Sequence, residues 1–506
     1  MHHVKGEHRN QLLMMSLESS VTGDSFVRAI DAFVDSINLK SFGFKNVDCG
    51  DEGRPPFHPS VLLKLYLYGY KYGIRTSRKL EREAKLNIEA MWLLSGQQPK
   101  YHTIADFRKQ YKKEFRAIFR RFVYLLKEWE LISGATIGVD SFKIRAQNSL
   151  KNNYNEKKIE RHLEYIDHKI AEYEKALDAS DNEEDKVALE SKITQQKTRQ
   201  ENYFQLQETL LMSGEEQISL TDPDSRAVIL LRNIVNVGYN IQSSIDAKNK
   251  LLVTYDTGTV NDTRALSGIA IESKELLQVD KINVLADKGY HTGEEIKICQ
   301  ENDVITYVSP KAPSTKDIGL YPITLFVYDK ENDTYTCPAG SLLCTNGNWY
   351  KHSGSARGQA GAYNFKRYVT KSCKTCKQRD KCTGGERNGR AIDRSEYADA
   401  IEANNQRVIH NPEYYKQRQQ IVEHIFGTLK RQRGFTFTLV KGKEKVLGEV
   451  GLMFIGYNLG RCVNILGIAE LVKALKKSCF HFILIKNRPF LSETRVPIFG
   501  DEKLAA

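Results

Sequence analysis

Apolar residues recur at helical spacing in the first quarter of the chain and again near its end. In the first region the spacing predicts helices at residues 25–37, from 58 onwards, and at 77–85, 88–94 and 103–128. Short helices of this kind form a helical bundle, and the pattern is compatible with a helix-turn-helix arrangement. Near the other end, residues 415–435 predict a helix whose apolar stripe contains Val422, Ile425, Phe426 and Leu429.

Between these helical regions the pattern changes to short β-branched runs, which are typical of strands. A run from Ala135 has Asp140 near its middle and predicts a buried strand. The elements predicted after it are strands at 237–245 and 251–255, a helix at 264–277, a strand at 282–286, a helix at 293–302 and a strand at 304–308. Three leading strands followed by helix-linked strands predict a mixed sheet flanked by helices. The expected fold class is α/β in a multidomain chain.

Two long segments interrupt this order. In residues 155–212 apolar positions step by three and four on both sides of a polar turn, which predicts a helical hairpin or a short coiled coil. Residues 311–406 are not needed by the sheet. The predicted domains are a lead-in module (1–57), a helical DNA-binding domain (58–130), the first part of the core (131–310), the insertion (311–406), the C-terminal core helices (407–466) and a tail (467–506).

The composition is that of a globular protein, with 41% hydrophobic and 27% charged residues in a chain of 506. Its formal net charge of +12 is uneven, because Lys64 to Arg121 contains fifteen Lys and Arg but five Asp and Glu. Clustered basic charge favours a nucleic-acid partner, although a solvated helical face is the alternative. Within this segment we expect Arg78, Lys79 and Arg82 to contact DNA phosphates.

Targeting signals and membrane spans are not found in the pattern. The N-terminus lacks the charged-then-apolar layout of a signal peptide, and no apolar stretch reaches the length of a membrane span. We therefore expect a cytoplasmic protein without a membrane partner. Nine cysteines in such a chain favour reduced thiols or a metal site over a disulfide framework.

Three acidic residues are candidates for a shared metal site. Asp140 lies on the first predicted strand and Asp287 follows the fourth, and these strands can be neighbours in a mixed sheet. Glu423 lies on the predicted C-terminal helix with Gly427 and Lys430 at i+4 and i+7, a face suited to phosphate. Three converging carboxylates can hold two divalent ions about 4 Å apart for phosphodiester chemistry. A solvated Glu on an amphipathic surface helix is the alternative.

The insertion carries a second candidate metal site. Cys373 and Cys376 form a C-x2-C pair, and Cys337 and Cys382 complete the four thiols of a tetrahedral zinc site. Cys344 can take the place of Cys337, and free thiols are the alternative interpretation.

Other residues are weaker candidates. Basic and aromatic side chains of the insertion can contact a DNA backbone and stack on an unpaired base, or form an ordinary surface; they are Trp349, Tyr350, Lys351, Arg357, Lys366, Arg367 and Tyr368. Four acids near strand ends are expected to be structural turn residues; they are Asp222, Asp224, Asp246 and Asp262.

Several motifs together resemble a known family. They are GVDSFKI around Asp140, SLTDPDSR at 219–226, VLADKGYHT around Asp287, RQQIVEHIFGTLKRQRGF around Glu423 and YNLGR at 457–461. Upstream, HRNQLLMMSLESSV and FHPSVLLKLYLYGY at residue 57 are similar to the N-terminal DNA-binding region of the same branch. From about residue 8 to 466 the chain resembles DDE transposases of bacterial insertion sequences, whose catalytic core is RNase H-like.

The resemblance implies a function and roles for particular residues. It implies that Asp140, Asp287 and Glu423 hold two Mg²⁺ or Mn²⁺ ions. Lys430 lies at the position where the family has a lysine that contacts DNA. In the family three residues lie between the arginine and the glutamate, but here four residues lie between Arg418 and Glu423, which turns Arg418 about 100° around the helix.

The implied reaction is cleavage of double-stranded DNA at the terminal inverted repeats of an insertion sequence, followed by strand transfer into target DNA. A homodimer is expected in the DNA complex, in a bacterial cytoplasm and at the nucleoid. A nuclease of the same fold without strand transfer, or a DNA-binding protein with a decayed site, remain as alternatives. In the insertion, relatives carry comparable cysteines, which favours a structural Zn²⁺.

Overall fold

The computed structural model describes residues 10, 14–48, 55–231, 234–258, 260–311, 319–353, 362–384 and 389–484. The start of the expected lead-in module and residues 485–506 of the expected tail lie outside this part of the chain. Among the described residues no single helix has the length and apolar composition of a membrane span; one pair of helices, 443–466 and 468–478, passes that test together but is bent by 115°.

Six helices form the N-terminal region. They are α1 (Phe26–Asp35), α2 (Pro59–Lys71), α3 (Ser77–Leu86), α4 (Ile88–Leu93), α5 (Tyr101–Gln110) and α6 (Lys112–Glu128). Side chains cap several of them, since Thr76 accepts from the Lys79 N–H at the start of α3, and Asn87 accepts from two amides at the start of α4. The predicted helical region is therefore present.

The single helix predicted for residues 103–128 is wrong, because the chain breaks at Tyr111 between α5 and α6. The buried Tyr111 ring packs against Phe44 and Phe107, with centroids 4.6 and 4.9 Å apart, and its hydroxyl accepts from the Lys45 N–H. These contacts come from residues about sixty positions upstream as well as from α5, so helical periodicity alone did not reveal the break.

A six-stranded mixed sheet forms the centre of the molecule. Its strands are β1 (Thr136–Arg145), β4 (Arg226–Leu231), β5 (Ile234–Asp246), β6 (Leu252–Thr257), β7 (Ile282–Ala286) and β8 (Val304–Val308). They lie in the order β4-β5-β1-β7-β8, with β6 also on β5. β5 is antiparallel to β1 and β6, whereas β1, β7 and β8 are parallel. Helices α9 (Leu266–Leu277) and α10 (Gly293–Glu301) link the last strands. This arrangement confirms the predicted mixed sheet flanked by helices.

Two long helices, α7 (Glu156–Asp178) and α8 (Glu183–Ser213), project from the sheet as a hairpin. Its base is joined by the short strands β2 (Asn153–Asn155) and β3 (Gln217–Ser219). Apolar side chains between the helices are buried, and they include Ile159, Ile166, Tyr203 and Leu210. The helical insert expected between the first two core strands thus has a small core of its own.

The insertion between β8 and the C-terminal helices contains two three-stranded antiparallel sheets. The first consists of β9 (Val327–Asp329), β10 (Thr334–Thr336) and β11 (Leu342–Cys344), and the second of β12 (Trp349–His352), β13 (Tyr363–Tyr368) and β14 (Ile392–Ser395). Phe326, Tyr335, Leu343, Tyr368 and Ile392 form a buried cluster that both sheets share.

Four helices complete the described chain: α11 (Ala398–His410), α12 (Pro412–Gly427), α13 (Lys443–Leu466) and α14 (Ile468–Leu484). The helix predicted for residues 415–435 is α12 followed by a π-helical turn, Thr428–Gln432. α13 is buried along most of its length and packs against both α2 and α6. The N-terminal helices and the sheet therefore share one hydrophobic core.

Candidate active site

Asp140 lies in the middle of β1, between β5 and β7. Its half-buried carboxylate accepts from the Ser141 N–H at 2.7 Å. Burial raises the pKa of the Asp140 carboxyl to about 6, and the nearby charge of Asp287 also raises it, whereas Arg418 lowers it. Ionising a buried carboxyl group next to a second acid is costly, and a bound cation would offset this cost by stabilising the ionised form.

Asp287 follows β7 directly. Because Val139 pairs with Ala286 in the parallel register, Asp140 and Asp287 occupy the next positions on adjacent strands. The Asp287 side chain accepts from the Gly289 N–H at 2.7 Å and so caps the short turn Lys288–Tyr290. The structure therefore brings the two predicted aspartates together at one edge of the sheet.

Glu423 lies on α12, which crosses β1 through Ile421 and Val422. Gly138 permits this approach, since an added Cβ would lie 2.9 Å from Ile421 and 3.1 Å from Val422. The Glu423 side chain is exposed and accepts from Gln419 Nε2 at 2.8 Å. Within the described ranges, no group of three or more His, Cys, Asp or Glu side chains has the spacing needed to hold a metal ion. Glu423 is thus on the helix that covers the site, but it is not at ligand distance from the two aspartates.

Asp262 is a site residue that sequence reasoning missed, because it was interpreted as a turn residue. Its Oδ1 accepts from Asn240 Nδ2 at 2.9 Å and from Gln242 Nε2 at 2.7 Å. Burial is the largest cause of the raised pKa of Asp140. The charge of Asp262 also raises this pKa, as the charge of Asp287 does. The signal was present in the strand order. Since β6 runs parallel to β1 and β7, a residue after β6 lies at the same edge of the sheet.

Asp222 and Asp246, by contrast, are structural acids. Asp246 accepts hydrogen bonds from the backbone N–H groups of Ser133, Gly134 and Lys248. Asp222 is fully buried and accepts from Tyr239 Oη and from the Gly442 N–H. Both tie loops to the sheet, as turn-forming acids do.

Two cations flank the acidic edge. Despite the extra residue before Glu423, Arg418 Nη1 lies 3.5 Å from Asp140 Oδ2. Lys430 Nζ lies 5.7 Å from the centre of the Phe142 ring, and burial lowers the pKa of Lys430. Both positive groups are placed where a phosphate approaching Asp140 would meet them.

The basic residues expected to contact DNA lie on α3. Arg78, Lys79 and Arg82 are all exposed. The Arg78 guanidinium carbon lies 5.2 Å from the centre of the Tyr101 ring. Arg75, one turn earlier, is buried instead and points into the core.

Cys337, Cys373, Cys376 and Cys382 line one small cavity of about 20 Å³ in the insertion. The Ser341 N–H donates to Cys337 Sγ at 3.3 Å, within a tight turn. Burial raises the pKa of the Cys382 thiol, Arg390 lowers it, and the thiols of the other three raise it further. Cys344 is exposed and does not line the cavity. The four predicted thiols therefore line one cavity, with Cys337 rather than Cys344 as the fourth, although they are not spaced closely enough in this structure to hold a metal ion.

Comparisons with known proteins identify two regions. Residues 15–110 match the family model described as Transposase domain (DUF772), and residues 336–463 match the model described as Transposase DDE domain. The second match contains Glu423, Lys430 and all four cysteines of the cavity. No curated protein matches the chain.

One solved structure is similar over most of its length. It is a cryo-EM structure of a piggyBac transposase synaptic complex with hairpin DNA, with 11% sequence identity and a TM-score of 0.31. The similarity covers 95% of this chain and 87% of that chain. At this TM-score it is too weak to support a conclusion about fold or function.

Proposed function

We propose that this chain, two regions of which match transposase family models, is a DDE-type transposase that binds the ends of its own mobile element, cuts them by metal-dependent hydrolysis and joins the free 3′-hydroxyl to target DNA. The observation that carries this mechanism is the adjacent placement of Asp140 and Asp287 at the edge of the central sheet, covered by the helix that bears Glu423. The element is a bacterial insertion sequence, and the protein acts in the cytoplasm on nucleoid DNA.

DDE transposases use divalent metal ions. Here Asp140, Asp287 and Glu423 would hold two Mg²⁺ or Mn²⁺ ions, because carboxylate oxygens are the ligands that these hard cations prefer. Glu423 lies outside ligand distance of the aspartates, so this binding would require its side chain to turn from Gln419 toward them. Such ions activate the attacking oxygen and stabilise the leaving oxygen of a phosphodiester. Burial is the main cause of the raised pKa of Asp140, and the charges of Asp287 and Asp262 add to it, so a cation at this edge would stabilise the ionised carboxylates.

The protein's own groups position the acids and the DNA. Asn240 and Gln242 orient Asp262 beside the aspartates, and the Gly289 N–H holds Asp287. Arg418, whose Nη1 lies 3.5 Å from Asp140 Oδ2, would also be in reach of a phosphate oxygen that approaches Asp140. Lys430 contacts phosphate near the cut.

The exposed basic side chains of α3 bind double-stranded DNA outside the acidic site; they are Arg78, Lys79 and Arg82. As phosphate contacts, these side chains would contribute mainly affinity and carry no sequence information. The terminal inverted repeats and the target are bound by a homodimer, which presents one acidic edge to each element end.

The mechanism is tested by product analysis. Inverted repeats in the DNA flanking the coding region define the substrate, which is then supplied as labelled end-containing duplex with Mg²⁺ and a supercoiled target plasmid. We expect cut ends and a slower-migrating product in which label is joined to the plasmid. Cut ends without any joined product indicate a nuclease of the same fold, and duplex bound but uncut with both Mg²⁺ and Mn²⁺ indicates a decayed site.

The insertion is stabilised by one structural Zn²⁺ ion on Cys337, Cys373, Cys376 and Cys382. Thiolates suit zinc and suit magnesium poorly, so the two sites take different metals. The shared cavity, about the volume of one water-sized sphere, and the backbone N–H donated to Cys337 Sγ both support this assignment.

Cys376→Ser is expected to remove the zinc and to make residues 337–382 sensitive to protease while the sheet around Asp140 stays folded. Cys344→Ser is the matched control, because Cys344 is an exposed thiol of the same insertion that does not line the cavity. Elemental analysis of untagged protein decides the matter. Less than about one zinc per two chains, with thiols that titrate freely in the native protein, would show that the cysteines hold no metal.

A further inference from the structure

The segments RQRGF and YNLGR, which have no role in the proposed reaction, meet at the C-terminal end of α2. RQRGF (431–435) follows α12, YNLGR (457–461) lies on α13, and Lys71 is the last residue of α2. An added Cβ at Gly460 would lie 3.2 Å from Lys71 Nζ and 3.4 Å from Arg433 Nη2. The two cations therefore face one point, which stays open because residue 460 is a glycine.

In the described part of the chain, neither of these cations has an acidic partner. Burial lowers the pKa of Lys71 and the charge of Arg433 lowers it further; burial also lowers the pKa of Arg433, to about 10. Arg433 Nη1 is buried and has no hydrogen-bond partner among the described residues. Lys64, on the same helix as Lys71, instead lies 2.6 Å from Asp31 and 2.7 Å from Asp35.

The groups that do contact the pair are aromatic rings and a backbone carbonyl. Lys71 Nζ lies 4.3 Å from the centre of the Phe26 ring, and the Arg433 guanidinium carbon lies 6.0 Å from the centre of the Tyr457 ring. Arg433 Nη2 donates to the Gly456 carbonyl oxygen at 3.4 Å. Rings and carbonyls attract a cation but carry no net charge, so they do not neutralise the pair.

Two exposed glycine turns border the pair. Lys71 and Arg433 are half-buried, whereas Gly73 and Gly434, which follow them in the chain, are exposed. The two turns lie side by side, since an added Cβ at Gly73 would lie 3.2 Å from the Arg433 carbonyl oxygen. Because glycines carry no side chains, a bulky ligand can approach the cations across these turns.

The unbalanced charge indicates the chemistry of the ligand. Two half-buried like charges are costly, because each is partly removed from water and each repels the other. An anion bound by both would offset that cost. A phosphate group fits, since it offers several acceptor oxygens to two donors that face one point, and both Lys and Arg bind phosphate in proteins.

We propose that Lys71 and Arg433 bind one phosphate group over Gly460. The inference rests on the proposed function only for the source of that group, which is the backbone of a bound DNA strand. It goes further by placing a phosphate contact on residues outside both the acidic edge and α3. Inorganic phosphate is the other source of the same chemical group.

The first test measures DNA binding in EDTA, so that no cleavage occurs. Wild-type protein and the double variant Lys71→Met, Arg433→Met are titrated into labelled duplex over a series of salt concentrations. A duplex of any sequence serves, because phosphate contacts do not read bases. The double variant should reduce the slope of log affinity against log salt by about 0.9, the value for one phosphate contact, whereas two separate contacts would give about 1.8.

Gly460→Ala distinguishes a shaped site from general positive charge. It keeps both cations but adds a methyl group between them, so it should reduce the salt slope as the double variant does. Lys112→Met is the matched control, because Lys112 is half-buried as Lys71 is but pairs with Glu444. It should leave the slope unchanged. A normal slope in Gly460→Ala, or an equal reduction in Lys112→Met, would show that no shaped phosphate site binds the DNA.

Melting temperature gives the second test and shows that each variant is folded. In chloride buffer the double variant should melt no lower than the wild type, because it removes the repulsion between the cations. Exchanging chloride for inorganic phosphate at equal ionic strength should raise the melting temperature of the wild type more than that of the variant if the site takes the free ion.

The two measurements together identify the source of the phosphate. A reduced salt slope in the double variant and in Gly460→Ala assigns the group to DNA, whereas a phosphate-dependent melting shift with an unchanged slope assigns it to the free ion. If neither is observed, the inference is refuted. Neither measurement involves cutting, so a phosphate site in a protein that neither cuts nor joins DNA would refute the proposed reaction alone.

Discussion

Glu423→Gln is expected to leave DNA binding intact and to lower the rate of DNA cleavage by more than about 100-fold. Substituting a residue that only orients a metal ligand usually lowers activity by up to about 100-fold, and a ligand itself should matter more. The amide keeps the shape of the side chain but removes the negative charge that a divalent cation requires. Because the Glu423 side chain is exposed and accepts a hydrogen bond from Gln419 on the same helix, the substitution should not affect folding. The measurement is cleavage of labelled element ends with Mg²⁺, next to a binding titration of the same DNA.

The matched control is Glu413→Gln. Glu413 lies on the same helix, is exposed, and pairs only with Lys416 at i+3, so its substitution changes charge by the same amount away from the sheet edge. Cleavage by this variant should be normal. A Glu423→Gln protein that cuts at near the wild-type rate would remove Glu423 from the site, and Asp262, which already lies beside Asp140, would become the third carboxylate.

Glu449→Ala is expected to destabilise the protein by about 3–5 kcal/mol, the usual cost of breaking a buried ion pair from one side. Glu449 lies on α13 with its side chain fully buried. It accepts from Tyr70 Oη at 3.0 Å and from the Leu439 N–H at 2.9 Å, and the guanidinium groups of Arg75 and Arg108 each lie 3.9 Å away. Removing the carboxylate leaves two buried cations without their counter-charge.

A chain of several domains need not unfold in one step, so the effect should be read locally. Hydrogen exchange of the α13 amides, followed by mass spectrometry, should become more than about 100-fold faster in Glu449→Ala. Glu444→Ala is the control on the same helix, because Glu444 is 55% exposed and pairs with Lys112. A surface pair of this kind contributes about 1 kcal/mol or less. Equal effects of the two substitutions would show that the buried network is not a major source of stability.

The Glu449 network also explains how the two functional regions are connected. Arg75 lies between α2 and α3 and Arg108 lies on α5, whereas Glu449 belongs to α13, which packs on the sheet. The Arg75 guanidinium also stacks on Phe435, with its carbon 4.5 Å from the ring centre. The exposed cations of α3 are therefore held in a defined position relative to the acidic edge, as the proposed function requires.

The local sequence pattern predicted much of the structure of this protein. Alternating and β-branched runs located the strands of the central sheet and their order, because side-chain periodicity follows directly from backbone geometry. That order was enough to predict Asp140 and Asp287 as neighbours, since parallel strands bring their carboxyl ends to one edge. The 3-4 stepping of apolar residues predicted the helical hairpin, and the cysteine spacing predicted four thiols that the fold brings to one cavity.

Tertiary structure alone decided the rest, since those features depend on contacts between residues far apart in the chain. Strand order indicates the edge at which Asp262 lies, but only the folded structure shows that Asn240 and Gln242 orient Asp262 there, whereas loop amides hold Asp246. Arg418 reaches Asp140 because Gly138 lets α12 approach β1 closely. The spacing of residues along the helix does not predict how closely the helix packs on the strand. The break at Tyr111 and the buried charge of Glu449 have the same origin. Their partners lie roughly 65 and more than 300 residues away, and periodicity within one element carries no information about what packs against it.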